Sequence, residues 1–308
     1  MAFFSNDYPD RMPLLERIGK ELRFRKAVKA SMQQHGQPQF ILAHPDWPSK
    51  RASIMAYADA LNWVVTNRAQ TPAQFNGTTV LKLAFDDRTE KRKAQPGFWN
   101  GHCLDISKST LDRHHHDVFG YGVNVDPATY EGPMLEKSEG NAVHDGREIE
   151  GPLSPDHLQP GKVYQRIIEN RTEGGLFEDL RVVVINGQVP VVYRKRKTDE
   201  VRYTNETAEV DLAKSPKTVF SEAELRQIGS LSAKMRAEFA ELDVLRDRQD
   251  GRIYCVDLNP TPYGPPAGLG GGFRQRAIDT VREGWPFEPL EAAGRPGAHG
   301  GFRPQLRR

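Results

Sequence analysis

Apolar positions recur along this chain at two periods, and the switches between them set the expected order of elements. Residues 11–33 mix charged and apolar side chains at helical spacing and predict one or two surface helices. GQPQFILAHPDWP reads as turn, short strand and turn, and SKRASIMAYADALNW as an amphipathic helix capped by Ser49. VVTNR and TTVLKLAF follow as two more strands, so this region predicts a βαβ unit with a parallel sheet. FWNGHCLDI is expected to be another strand, as are PMLEK and VYQRII. DLRVVVINGQVPVVYRKRK alternates valines on both sides of Asn186–Gly187, the pattern of a hairpin. SEAELRQIGSLSAKMRAEFA opens with Ser221 and, three residues on, Glu224, which predicts a helix started by a capping box. LDVLRD and RIYCVDL form a second hairpin around RQDG; GLGGG then leads into a last helix, FRQRAIDTVREGW. The Gly-, Pro- and Arg-rich segment from about Pro286 predicts a loosely ordered tail.

Composition narrows the class. A chain of 308 residues can bury a full core in two or three lobes, and 37% apolar with 27% charged residues suits a globular protein with polar loops. A net charge of +2 gives no argument for nucleic acid. Cys103 and Cys255 provide neither a disulfide framework nor a four-cysteine zinc site, and Cys255 sits in an apolar run that suits an inert buried thiol. No stretch approaches the roughly 20 apolar residues of a membrane span, and the N-terminus lacks a leader pattern. The expectation is a cytoplasmic protein with no membrane partner and no nucleic-acid partner, its homo-oligomeric state left open.

The chemistry concentrates in GRIYCVDLNPTPYGPP. Asp257 and Asn259 are two apart on a strand and therefore share a face, and the short turn can bring Asp243 beside Asp257. Two carboxylates and an amide oxygen in one small volume suit Mg²⁺ or Mn²⁺, which complete their shells with water and phosphate oxygens. The same residues also suit the solvated end of a hairpin. Lys137 precedes a small-residue loop, Ser138–Gly146, whose backbone amides could approach phosphate, and Lys108 is a second isolated lysine. Either lysine could equally be a solvated surface residue. The P-loop pattern is absent.

In this order the motifs resemble the ATP-grasp superfamily of carboxylate–amine and carboxylate–thiol ligases, over roughly residues 40–284. DVLRDRQDGRIYCVDLN is similar to the metal-binding strand–turn–strand of D-alanine–D-alanine ligases, with Asp257 where a glutamate is usual. The resemblance makes Asp243, Asp257 and Asn259 metal ligands and Lys108 and Lys137 phosphate ligands. It makes VYQRIIEN the hinge that reads adenine through Gln165, Ile167 and Ile168, with Glu169 on the ribose. FEDLRVVVINGQVPVVYRKRK is similar to a segment of glutamate-adding ligases, which places Asp179 and Arg181 in the large lobe and Arg194 and Arg196 on the returning strand. Arg202, Thr204 and Asn205 follow near the γ-phosphate.

The implied fold is α/β (α+β), of ATP-grasp type. It has an N-terminal helical arm (1–38), a Rossmann-like lobe (39–105), a small subdomain (106–164), a large subdomain with the metal site (165–284) and a flexible tail (285–308). The implied function is an ATP- and Mg²⁺-dependent ligase that activates a small-molecule carboxylate as an acyl phosphate for attack by an amine. Arg181, Arg194 or Arg196 would stabilise the transferring phosphoryl group, and His144 would reach a phosphate oxygen. Two rivals stand beside this: a kinase that phosphorylates a sugar or polyol hydroxyl with Asp145 or His144 as base, and a non-catalytic nucleotide-binding partner. His114, His115 and His116 are adjacent and cannot all face one metal from a regular element, so a polar loop or helix segment is expected there.

Overall fold

The computed structural model describes residues 4–8, 11–143, 145–204 and 206–285; His144, Asn205 and the expected tail beyond Trp285 lie outside the described residues. The chain is α+β, with one parallel and two antiparallel sheets. The first helix, α1 (Leu14–His35), ends at Gly36, whose φ of 79° needs a residue without a side chain. Then come β1 (Gln39–Pro45), α2 (Ser53–Ala60), β2 (Val64–Thr66), α3 (Thr71–Gln74) and β3 (Thr78–Phe85). Their parallel sheet has the order β2-β1-β3, as the βαβ pattern predicts.

Two local expectations fail for tertiary reasons. Helix α2 starts at Ser53 rather than at a Ser49 cap, because the Ser53 amide donates to the carbonyl of Pro262, 2.8 Å away in the turn after the last strand. The FWNGHCLDI segment forms turns with isolated bridges instead of a strand. Asn100 takes a left-handed φ of 57° there, and its side chain exchanges hydrogen bonds with the Phe239 backbone at 2.7 and 2.9 Å.

Helix α4 (Lys108–Phe119), capped by Ser107, leads to β4 (Gly132–Ser138), β5 (Arg147–Gly151) and β6 (Lys162–Arg166), an antiparallel sheet of order β5-β4-β6. The largest sheet, of order β11-β10-β7-β8-β9, is built from β7 (Phe177–Ile185), β8 (Val192–Lys197), β9 (Glu209–Leu212), β10 (Phe239–Arg246) and β11 (Ile253–Asn259). α5 (Glu222–Lys234) carries the predicted Ser221–Glu224 capping box, and α6 (Gly271–Glu283) is the last helix described.

Period-two alternation gives the large sheet two apolar faces. Val183, Ile185, Tyr193 and Phe239 pack with Ile41 and Leu83 of the first sheet and with Tyr57 of α2. Val182, Val184, Leu242 and Cys255 pack on the other side with Ile228 and Leu231 of α5 and Leu111 of α4. Each fully buried aliphatic side chain contributes about 1.5–3 kcal/mol to folding. Gly229 of α5 lies so close to the β7–β8 turn that a Cβ would sit 2.4 Å from the Gly187 carbonyl oxygen, which fixes that position as glycine. No helix among the described residues is long and apolar enough to cross a membrane.

Candidate active site

The β10–β11 hairpin places Asp243 directly opposite Asp257 and Glu241 opposite Asn259. Sequence reasoning missed a bulge in this ladder. The register shifts between Asp243 and Val244, so that Val244 pairs with Cys255 and Val256 is the extra residue. Strict alternation would send Val256 and Asp257 to opposite faces. With the bulge, Cys255 and Leu258 enter the core behind the sheet while Val256, Asp257 and Asn259 all line the cavity in front of it.

That cavity, of about 530 Å³, is walled by the small antiparallel sheet, the large sheet and residues 165–170 between them. It brings together most of the expected residues: Lys108, Lys137, Gln165, Ile167, Ile168, Arg181, Asp243, Asp257 and Asn259. Three expected residues are not brought there. Glu169 lies outside the lining, with its carboxylate accepting the Arg171 amide at 3.1 Å. Arg194 and Arg196 fall outside as well, because alternation along β8 gives the cavity Lys195 and Lys197 instead. Arg196 is held by Glu178, Glu209 and Asp211 at 2.9–3.3 Å.

The lysines of the cavity are of two kinds. Lys197 is committed to Asp179 at 2.7 Å and to the carbonyls of Arg202 and Thr204, and Lys108 donates to the Gly140 carbonyl at 2.8 Å. Lys137 and Lys195 make no hydrogen bond or ion pair to a described residue. Burial first, and then the charge of Lys108, bring the Lys137 ammonium down to about 8 despite the opposing pull of Asp257 and Asp243. Burial, with Arg181 next to it, also lowers Lys195.

The carboxylates divide in the same way. Burial would raise Asp243, but Arg181 donates to both its oxygens, at 3.0 and 3.1 Å, and brings it down to about 2. Asp257 makes no hydrogen bond through its side chain to a described residue; burial and the neighbouring Asp243 push it up, against Lys108, Lys137 and Arg181. Asn259 has its side-chain oxygen fixed by the Thr261 amide at 2.9 Å and the Thr261 hydroxyl at 3.2 Å. Behind the triad, Glu241 is 2% exposed and one of its oxygens has no hydrogen-bond partner, with the Arg181 guanidinium 3.6 Å away. Burial pushes its carboxyl up to about 7.

At the other end, Val123, Leu135, Leu245 and Val256 give the cavity apolar walls beside residues 165–168. Gln165 is buried and donates its amide nitrogen to the Asn124 side-chain oxygen at 2.8 Å, and the Ile168 carbonyl accepts from Arg202 at 2.8 Å. Asp145 closes the Ser138–Gly146 loop by accepting from the Ser138 amide at 2.9 Å, the Ser138 hydroxyl at 2.6 Å and Lys162. These bonds hold its carboxyl far below the ordinary range. The histidine run lies on α4; His115 is buried and stacked on Phe119 at 4.2 Å, and burial lowers its pKa, so it packs the helix rather than facing the cavity.

No protein-family model matches the chain, and no curated protein matches it. Solved structures similar to it include ATP-grasp ligases. One is PsnB complexed with a phosphomimetic variant of a minimal precursor, Mg and ADP: 19% identity, TM-score 0.38, 57% of this chain and 58% of that one covered. The match to PsnB with the precursor peptide PsnA2 and AMPPNP has 13% identity and a TM-score of 0.47, covering 79% and 98%. D-alanine–D-alanine ligase from Bacillus anthracis matches at 12% identity and a TM-score of 0.45, covering 80% and 95%.

Proposed function

We propose that this chain is an ATP-grasp enzyme that uses Mg²⁺-ATP to activate a carboxylate as an acyl phosphate for attack by an amine. The observation that carries the reading is the opposed Asp243–Asp257 pair sharing one cavity with Lys137 and Lys195, two cations without a partner among the described residues. A polyanion would give those lysines their partners, and a divalent cation would relieve the repulsion that raises Asp257. The donors are hard oxygens only, which fits Mg²⁺ held by Asp243, Asp257 and Asn259. Bound there, the ion would supply neutralisation of phosphate charge.

The chain's own residues do the rest. Lys108 from the start of α4 and Lys137 from β4 of the small sheet grip phosphate oxygens, and the hinge from Gln165 to Ile168 lies along the nucleobase between the apolar walls. Lys195 and Arg181, which approach from the floor of the large sheet, stabilise the phosphoryl group in transfer. A substrate carboxylate oxygen attacks the terminal phosphorus and the bond to ADP breaks. The amine nitrogen then attacks the acyl carbon, inorganic phosphate departs, and the nitrogen loses a proton. Lys195 takes the role expected of Arg194 and Arg196.

A hydroxyl kinase would need a free base beside the terminal phosphate. Asp145, the described residue expected in that role, is tied to Lys162 and Ser138 and is a poor base. Mg²⁺-dependent ADP release, measured with panels of carboxylic acids with and without amines and with hydroxylamine as trap, tests the reading. Hydroxamate formation is expected; ADP release that responds only to polyols, with no hydroxamate, would overturn it.

A further inference from the structure

Helix α1 has two unlike faces. Its inner face packs through Phe24 and Val28 on Phe40 and Val64. Of the large apolar side chains that stand exposed among the described residues, four belong to this one helix: Leu14 (62%), Leu15 (84%), Leu22 (63%) and Met32 (56%). At about 100° per residue Leu15, Leu22, Lys26 and Lys29 fall on the arc that faces away from the buried Glu21, Phe24, Val28 and Ser31, with Leu14, Arg25 and Met32 at its edge. The leucines occupy the first turns and the basic residues the later ones. The acids of the helix lie off this arc: Glu21 is buried in the seat, where it pairs with Arg25, and Glu16 pairs with Lys20. Lys26 and Lys29 are exposed and make no ion pair with a described residue.

An apolar arc with uncommitted lysines and no acid selects an anionic partner. A second copy of the chain fits poorly, because a two-fold contact through the arc would bring the lysines of both copies into one interface with no acid to pair them. The leucines project from a convex helix into water rather than lining a groove, which suits a fluid surface better than a folded protein. We propose that α1 lies on an anionic lipid bilayer, with Leu14, Leu15 and Leu22 entering the headgroup boundary and Lys26 and Lys29 meeting the headgroup charge. Such a helix needs no membrane-spanning run, so the lack of one among the described helices does not bear on it. The contact is peripheral, falls with ionic strength, and is independent of the chemistry in the cleft.

Flotation of the full chain with vesicles tests this. Wild-type protein should float with phosphatidylcholine vesicles that contain about 30% phosphatidylserine and not with phosphatidylcholine alone. The double variants K26E/K29E and L15S/L22S should each reduce the floated fraction by about tenfold or more. Both pairs are exposed, so unchanged thermal melting is expected and serves as the control for folding. Undiminished flotation of either variant overturns the proposal, as does equal recovery of the wild type on both vesicles. Capture of the wild type by soluble polyglutamate with no flotation on either vesicle would assign the face to an acidic protein and overturn it as well.

Discussion

Arg181 and Asp243 meet side by side on neighbouring strands β7 and β10, Nε donating to one carboxylate oxygen at 3.0 Å and Nη2 to the other at 3.1 Å. The pair supplies the positive charge that lets Asp243 stay ionised next to Asp257. Arg181→Met should therefore remove the one cation hydrogen-bonded to Asp243, leave the facing carboxylates with only more distant lysines, and cost about 3 kcal/mol of stability. Added Mg²⁺ should return part of the loss by standing between the carboxylates. Thermal unfolding of wild type and variant with and without MgCl₂ checks this; a melting temperature unaffected by the substitution would contradict it.

The alternation of β8 separates two kinds of basic residue. Lys195 lines the cavity without a partner, whereas Arg196 is bound by Glu178, Glu209 and Asp211 away from it. Lys195→Ala should lower nucleotide turnover by about 100-fold, and Arg196→Ala should leave it within about threefold of wild type. Steady-state rates of both variants decide the matter, and the reverse ranking would restore the role that the sequence alone assigns to Arg196.

Glu241 carries a pH signature. Burial raises its carboxyl from 4.5 to about 7, so between those values the folded protein holds a proton that the unfolded chain has lost. The stability this gives is complete below pH 4.5 and is lost as pH rises through 7. Glutamine mimics the protonated acid at every pH. Relative to wild type, Glu241→Gln should gain up to about 3 kcal/mol between pH 4.5 and pH 8. Urea unfolding at both pH values checks this, and a gap that does not change with pH would show that Glu241 does not titrate in this range.

Much of this architecture was legible because the decisive signals are local. The Asn186–Gly187 hairpin, the Ser221 capping box and the opposition of Asp243 and Asp257 each depend on a few neighbouring residues, and each is found. What stayed hidden depends on distant partners or on one backbone irregularity. Choosing Lys195 over Arg196 requires the phase of β8 against the core, which the repetitive RKRK cannot reveal, although the buried Tyr193 two residues earlier carries that phase. The bulge at Val256 has no local sequence signal, yet it aims an apolar wall residue and a carboxylate into the same cavity. The start of α2 is set by Pro262, more than 200 residues away along the chain.

Whether Asp243, Asp257 and Asn259 form a Mg²⁺-nucleotide site with Lys137 and Lys195 is decided by calorimetric titration of a non-hydrolysable ATP analogue in the presence of Mg²⁺. Wild-type protein should bind it saturably, and Asp257→Ala should weaken binding by about 100-fold or more with its melting temperature kept. Equal affinity in the two proteins, or no binding by the wild type, would contradict the account.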